Sequence, residues 1–138
     1  MRRNGADVTR VRKLFRDDMA EYKAKAEIVR NAEVYLGAYA ISVLPESELD
    51  SPTIVGAKAA NELLNIVGVK ASFVLTEFND KIYVSARSID EVNVQIIMEK
   101  LGGGGHQTVA GAQLECSIKE AVKLLHRTLT EMISEGAI

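Results

Sequence analysis

Gly102-Gly103-Gly104-Gly105-His106 is the stretch of this 138-residue chain best suited to chemistry. Glycine forfeits more backbone entropy on folding than any other residue, so a globular domain seldom keeps such a run without a use for it. Lacking a Cβ, the run allows close backbone approach and positive φ, which lets consecutive N–H groups point into one concavity. Such a nest binds phosphate oxygens, most of all where a helical turn begins just beyond it and adds its positive end. Residues 107–110 are the candidate for that turn, and His106 at its start offers an imidazole donor to the same anion. Taken alone, the glycines also fit a helix C-cap followed by a loop with an exposed His106. The run is not a Walker A loop, because the Lys-Ser/Thr ending is missing.

Other chemistry finds little to use. His106, His126 and Cys116 are the only His and Cys residues, which does not make a zinc cage. Cys116 has no readable base beside it and reads as a small, semi-buried apolar residue rather than a nucleophile. His126 lies beside the apolar stripe of the last helix and reads as an ordinary surface residue. A single cysteine makes no internal disulfide, which fits a reducing compartment, and a cytoplasmic location is expected. The apolar share of 47% and charged share of 26% are those of a globular domain and exclude a disordered, collagenous or low-complexity chain. Apolar runs are only a few residues long, against the roughly 20 a membrane span needs. No hydrophobic region follows Arg2 and Arg3, so no secretory signal is expected. Residues 1–31 hold nine Lys/Arg and five Asp/Glu, a balance of +4, and the rest holds eight and fourteen, a balance of −6. A basic first segment could meet nucleic acid, but its charges alternate in sign along a helical pattern, as on a solvated face.

The elements that must position these residues are legible in outline. Val8, Val11, Phe15, Met19, Tyr22, Ala26 and Val29 recur at helical spacing, so residues 1–31 read as a long connector helix capped by Asp7, and residues 32–138 as a domain. That narrow stripe must lie on a partner surface. Residues 33–44 read as two strand pieces around Gly37, or one strand with a bulge there. Pro52 sits just inside a helix that carries Ile54, Val55, Ala59, Leu63, Leu64 and Val67 and stops at Gly68. Residues 70–78 and 81–88 form a hairpin turned by Asn79-Asp80. Asp90 caps a helix from about Glu91 to Leu101, residues 111–116 form a last strand, and Ser117 with Glu120 is a capping box opening the closing helix. That helix turns Ile118, Ala121, Val122, Leu125, Leu129 and Met132 inward. Alternating helices and strands give an α/β class, with a mixed sheet of about five strands flanked by helices.

Residues 92–101, Val-Asn-Val-Gln-Ile-Ile-Met-Glu-Lys-Leu, run into Gly102–His106 and on to Ala110-Gly111-Ala112. This pattern resembles the DHH-associated domain, the C-terminal substrate-binding domain of DHH-family phosphoesterases. Arg87-Ser88 matches the Arg-Ser pair of the same family. The Asn-Val-Gln run, and the opening Arg3–Asp7 with Val11-Arg12, look most like the cyclic-di-AMP phosphodiesterase branch. One departure is Val109, which stands where many relatives have Ala and bears on the shape of the base pocket.

The resemblance implies that Arg87 meets a substrate phosphate through paired N–H donors and Ser88 through its hydroxyl. It implies backbone contacts from Gly103, Gly104 and Gly105, a contact from His106 to phosphate or ribose, and a polar contact from Asn93. Without it, Arg87 reads as a surface cation, Ser88 as a turn former, and Asn93 as a first-turn residue helping Asp90 cap its helix. The family's catalytic machinery is an Asp-His-His domain holding manganese to activate water. No Asp-His-His occurs here, so the resemblance implies an isolated piece, inactive alone, of a manganese-dependent phosphodiesterase. It also suggests that membrane segments lie upstream. The implied partners are a cyclic dinucleotide, a linear dinucleotide or a short single-stranded oligonucleotide, together with the catalytic domain. Two other readings stand: an RNA-interacting domain like that ending alanyl-tRNA synthetases, which tends to carry a basic residue after the glycines, and a homodimerisation scaffold built on the stripe of residues 8–29.

Overall fold

The structure, a computed structural model, describes residues 19–89 and 91–138. It is a six-stranded mixed sheet between two layers of helices, in strand order β1-β2-β3-β4-β6-β5. Helix α1 (Met19–Arg30) leads into β1 (Glu33–Tyr35) and β2 (Tyr39–Leu44), an antiparallel pair turned through Leu36 and Gly37 at φ 53° and 79°. Two strand pieces therefore form, with no bulge. Helix α2 (Pro52–Leu63), with Pro52 in its first turn, carries the chain across to β3 (Ala71–Phe78), which pairs parallel with β2. β3 turns at Asn79 and Asp80, both at positive φ, into the antiparallel β4 (Lys81–Ser88). Two central residues at φ > 0 are what a two-residue hairpin demands, and Asn and Asp tolerate it best after Gly.

Helix α3 (Val94–Lys100) starts later than the sequence suggests. Its cap is Asn93, whose Oδ1 accepts from the Gln95 and Ile96 N–H groups at 3.0 and 3.3 Å. The proposed cap Asp90 lies outside the described residues. At its other end Gly102, at φ 88°, lets the Gly102 and Gly103 N–H groups donate back to Glu99 O and Met98 O, the bond pattern of a Schellman stop. Then comes the strand the sequence did not show. Gly104-Gly105 is β5, paired antiparallel with β6 (Val109–Leu114), which makes the sheet one strand wider than expected. Residues 106–108 connect the two, so the helical turn expected over 107–110 does not form. Helix α4 (Ile118–Ser134) opens on the Ser117/Glu120 capping box and buries Ala121, Leu125, Leu129 and Met132.

Two cores flank the sheet. On one face Phe73, Leu75, Ile82, Val84 and Ala86 pack under α3 and α4. On the other, Ala40, Leu44 and Val74 pack under α1 and α2 through Ile28, Val55, Ala59 and Leu63. α2 ends at Leu63, earlier than the stop expected at Gly68, so Val67 lies beyond it, and both Ile54 and Val67 are exposed. Only part of the described α1 stripe packs on this domain, and the rest is left for a partner surface outside it. Ile28 is buried, with Ala24 and Val29 against it, whereas Met19 and Tyr22 are 67% and 58% exposed. The rest of the stripe, Val8, Val11 and Phe15, lies outside the described residues.

Candidate substrate-binding face

Strand β4 alternates strictly: Ile82, Val84, Ala86 and Ser88 are buried, while Lys81, Tyr83, Ser85 and Arg87 are half-buried. Successive side chains of a strand point to opposite faces, so Arg87 and Ser88 do not share one. Arg87 lies on the α1/α2 face and Ser88 on the α3/α4 face. The expectation that both touch one phosphate meets this geometric obstacle.

Register extends the Arg87 face across the sheet. Arg87 pairs with Val109, and the His106 N–H donates to Val109 O at 2.7 Å, so Arg87, Val109 and His106 form one row. Two strand spacings put Arg87 and His106 roughly 10 Å apart along it. The next row is Ser85, Gly111 and Gly104, which carries no side chain larger than a hydroxymethyl group. α2 packs over β3 and β4, and beyond it Val109 and Gln113 remain exposed. The result is a shallow trough floored by Ser85, Gly111 and Gly104 and bordered by Arg87, Val109 and His106.

Arg87 is the electrostatic centre of this face. Burial pushes its guanidinium below the ordinary value, and among the described residues no carboxylate pairs with it. It remains charged, since arginine does not deprotonate in proteins. Among the described residues its hydrogen bond is from Nη1 to Ala86 O at 2.9 Å, which leaves other donors of the fork for an anion. Lys70, at the same end of the sheet, is instead paired with Glu91 at 3.3 Å. That makes Arg87 a candidate anion contact.

The glycine run divides into distinct uses. Gly102 stops α3. A Cβ on Gly103 would strike Gly111 O and come within 2.7 Å of Ala112 Cα, and one on Gly105 would stand 2.6 Å from both Val109 O and Ala110 Cα. Gly105 also sits at φ 143°. Glycine at 103 and 105 is therefore required by the packing of β5 on β6. Gly104 alone of these three faces open space, and that space is the trough. The N–H groups of Gly102, Gly103 and His106 all donate inside the fold, so the nest of consecutive free N–H groups is not formed.

Residues 106–108 are tied down by neighbours the sequence did not reveal. The Gln107 carbonyl accepts from Val94 N–H at 2.9 Å and from Ser88 Oγ at 3.3 Å, and Thr108 O accepts from Ser88 N–H at 3.0 Å. Asn93 stands beside this tie with its Oδ1 occupied by the cap. The alternation of β4, together with Gly111, is the signal that could have revealed the trough; the Gln107 carbonyl, a backbone group, has none.

The remaining chemistry lies elsewhere. Cys116 is half-buried, and burial, then the Glu120 charge, push its thiol up and keep it protonated. His126 stacks on Tyr35 with ring centroids 4.1 Å apart and planes 9° apart, so it is more than a bystander on the surface. Among the described residues no three His, Cys, Asp or Glu side chains gather where they could hold a metal ion, and no helix is long and apolar enough to cross a membrane.

Comparison with known proteins matches residues 37–135 to the DHHA1 domain. The chain is 41% identical over 127 residues to the cyclic-di-AMP phosphodiesterase PdeA of Listeria monocytogenes, covering 91% of this chain and 19% of that protein. It is 38% identical over 138 residues to the cyclic-di-AMP phosphodiesterase GdpP of Geobacillus thermodenitrificans, covering 99% of this chain and 21% of the other. The chain thus spans about a fifth of the length of the curated relatives it matches. Among solved structures, an exopolyphosphatase-related protein from Bacteroides fragilis shares the fold with a TM-score of 0.79 at 22% identity, over 94% of this chain and 39% of that one. The C-Ala domain of Aquifex aeolicus alanyl-tRNA synthetase matches with a TM-score of 0.53 at 25% identity, over 72% of this chain and 97% of its own.

Proposed function

The chain belongs to the DHHA1 domain family, and from that premise we propose that it holds the phosphodiester of a cyclic or linear dinucleotide for a catalytic domain elsewhere in the full protein. The observation that carries this reading is the half-buried Arg87 guanidinium, paired with no carboxylate among the described residues, beside a row, Ser85–Gly111–Gly104, free of bulky side chains. A phosphodiester oxygen on the Arg87 fork gains charge-assisted hydrogen bonds. The chain of sugar and base then crosses the trough, where Gly104 admits it to the backbone. His106, at the end of the Arg87 row, supplies a second donor to phosphate or ribose. The relatives PdeA and GdpP are named for cyclic-di-AMP, which makes it the first ligand to try. Manganese belongs to the Asp-His-His domain that the resemblance implies; the described residues here offer no ligand set for it, and no step through the metal is assigned to them.

The test is calorimetric titration of cyclic-di-AMP, and of its linear dinucleotide, into this chain. Saturable binding that falls with added salt is expected, because phosphate contacts release counterions. Absence of binding to either ligand at millimolar concentration would overturn the proposal.

A further inference from the structure

We infer that Ser88 is a positioning residue, which sets the 106–108 connection so that His106 reaches the Arg87 row, and that it does not touch the phosphate. This rests on the function proposed above for the ligand, but not for the geometry. Ser88 is 7% exposed and lies on the face of β4 opposite Arg87. Its two donors both act on the connection: Oγ donates to Gln107 O and the backbone N–H to Thr108 O. Gln107 O is shared with Val94 N–H, the first residue of α3. One carbonyl thus ties the end of β4, the start of α3 and the β5–β6 connection together. His106 is the residue just before that knot and is anchored on the other side through Val109 O.

The arrangement separates two kinds of residue in the Arg-Ser pair. Arg87 presents charge to the ligand. Ser88, one position along the strand, holds in place the segment that presents the second donor. A serine hydroxyl suits the task because it is short enough to stay buried, and its hydrogen bond removes the penalty of burying it.

Amide hydrogen exchange and ligand titration on the whole chain test this. In Ser88→Ala the amides of Val94 and His106 should exchange several-fold faster than in the parent, without ligand. Cyclic-di-AMP binding should weaken about three- to tenfold, the range of a neutral hydrogen bond. Ser88→Ala should add nothing in a His106→Ala background, because its effect passes through His106. Ser88→Thr, which keeps the hydroxyl, should restore both protection and affinity, and it serves if the alanine variant folds poorly. Unchanged exchange at Val94 and His106, or a loss of affinity equally large with and without His106, would overturn the inference. Should the parent bind no dinucleotide, the proposed function falls, and the exchange data alone decide the role of Ser88.

Discussion

Two regions of the molecule invite a ligand, and they do so for opposite reasons. Beside the β1–β2 pair and α4 there is a real hollow of about 230 Å³, lined by Asn31, Glu33, Tyr35, Val122 and His126 among others. The Arg87 face is an open trough. Concavity alone would favour the first. Yet its aromatic pair is already engaged: the Tyr35 hydroxyl is 2.7 Å from Thr130 Oγ1, and its ring stacks on His126. Its one lining carboxylate, Glu33, repels an anion. The trough has the reverse character, little enclosure but a half-buried cation that pairs with no carboxylate among the described residues. For a phosphodiester, the uncompensated charge outweighs the shape, since a charge-assisted hydrogen bond contributes about 1.5–3 kcal/mol.

The largest effect is expected from displacing β5, which carries the Gly104 edge of the trough. Gly105→Val places a side chain at φ 143° against Val109 O and Ala110 Cα. It should cost roughly 3 kcal/mol of stability through strain and overpacking, read by urea denaturation. A cost below about 0.5 kcal/mol would mean that β5 does not pack on β6 as described. Next comes Arg87→Ala, expected to weaken cyclic-di-AMP binding ten- to a hundredfold at near-constant stability, as a lost charged hydrogen bond implies. Parent-like affinity in that variant would remove the site from this face. Gly104→Val should weaken binding several-fold with the melting temperature unchanged, because its Cβ meets open space rather than protein. A fall in stability as large as that of Gly105→Val would erase the distinction between the two glycines. The smallest effect belongs to the hollow: His126→Ala loses the stack on Tyr35, worth about 0.5–1.5 kcal/mol of stability, and should leave ligand affinity alone.

What could be read from residues differs between these regions for physical reasons. The β3–β4 hairpin was legible because Asn79-Asp80 is turn chemistry between alternating strands, and α4 because a capping box opens a clean stripe. Strand β5 was not, since two glycines have no strand preference of their own and are held extended by pairing with β6. For α1, neighbouring stripes both satisfy a 3.6-residue period, and contact with α2 selects Ala24 and Ile28 over Met19 and Tyr22. The start of α3 was misplaced because Asp90 and Asn93 are both cap-forming residue types, and sequence alone does not rank them; Asn93 Oδ1 accepts from the Gln95 and Ile96 N–H groups. The opposed faces of Arg87 and Ser88 were open to reading from strand alternation, and a family pattern that treats them as a pair hides it. Gly103 and Gly105 were indistinguishable from Gly104 in sequence, because what separates them is the backbone of β6 on one side and empty space on the other.

On the proposed function, a dinucleotide lies on the Arg87 row and the glycine floor, away from the Tyr35–His126 hollow. Amide chemical-shift mapping during a cyclic-di-AMP titration tests it most directly. The amides of Ser85, Arg87, Gly104, His106 and Gly111 should move together with one affinity, while those of Asn31, Tyr35 and His126 stay still. Shifts centred on Tyr35 and His126, with Gly104 and Gly111 unmoved, would contradict it.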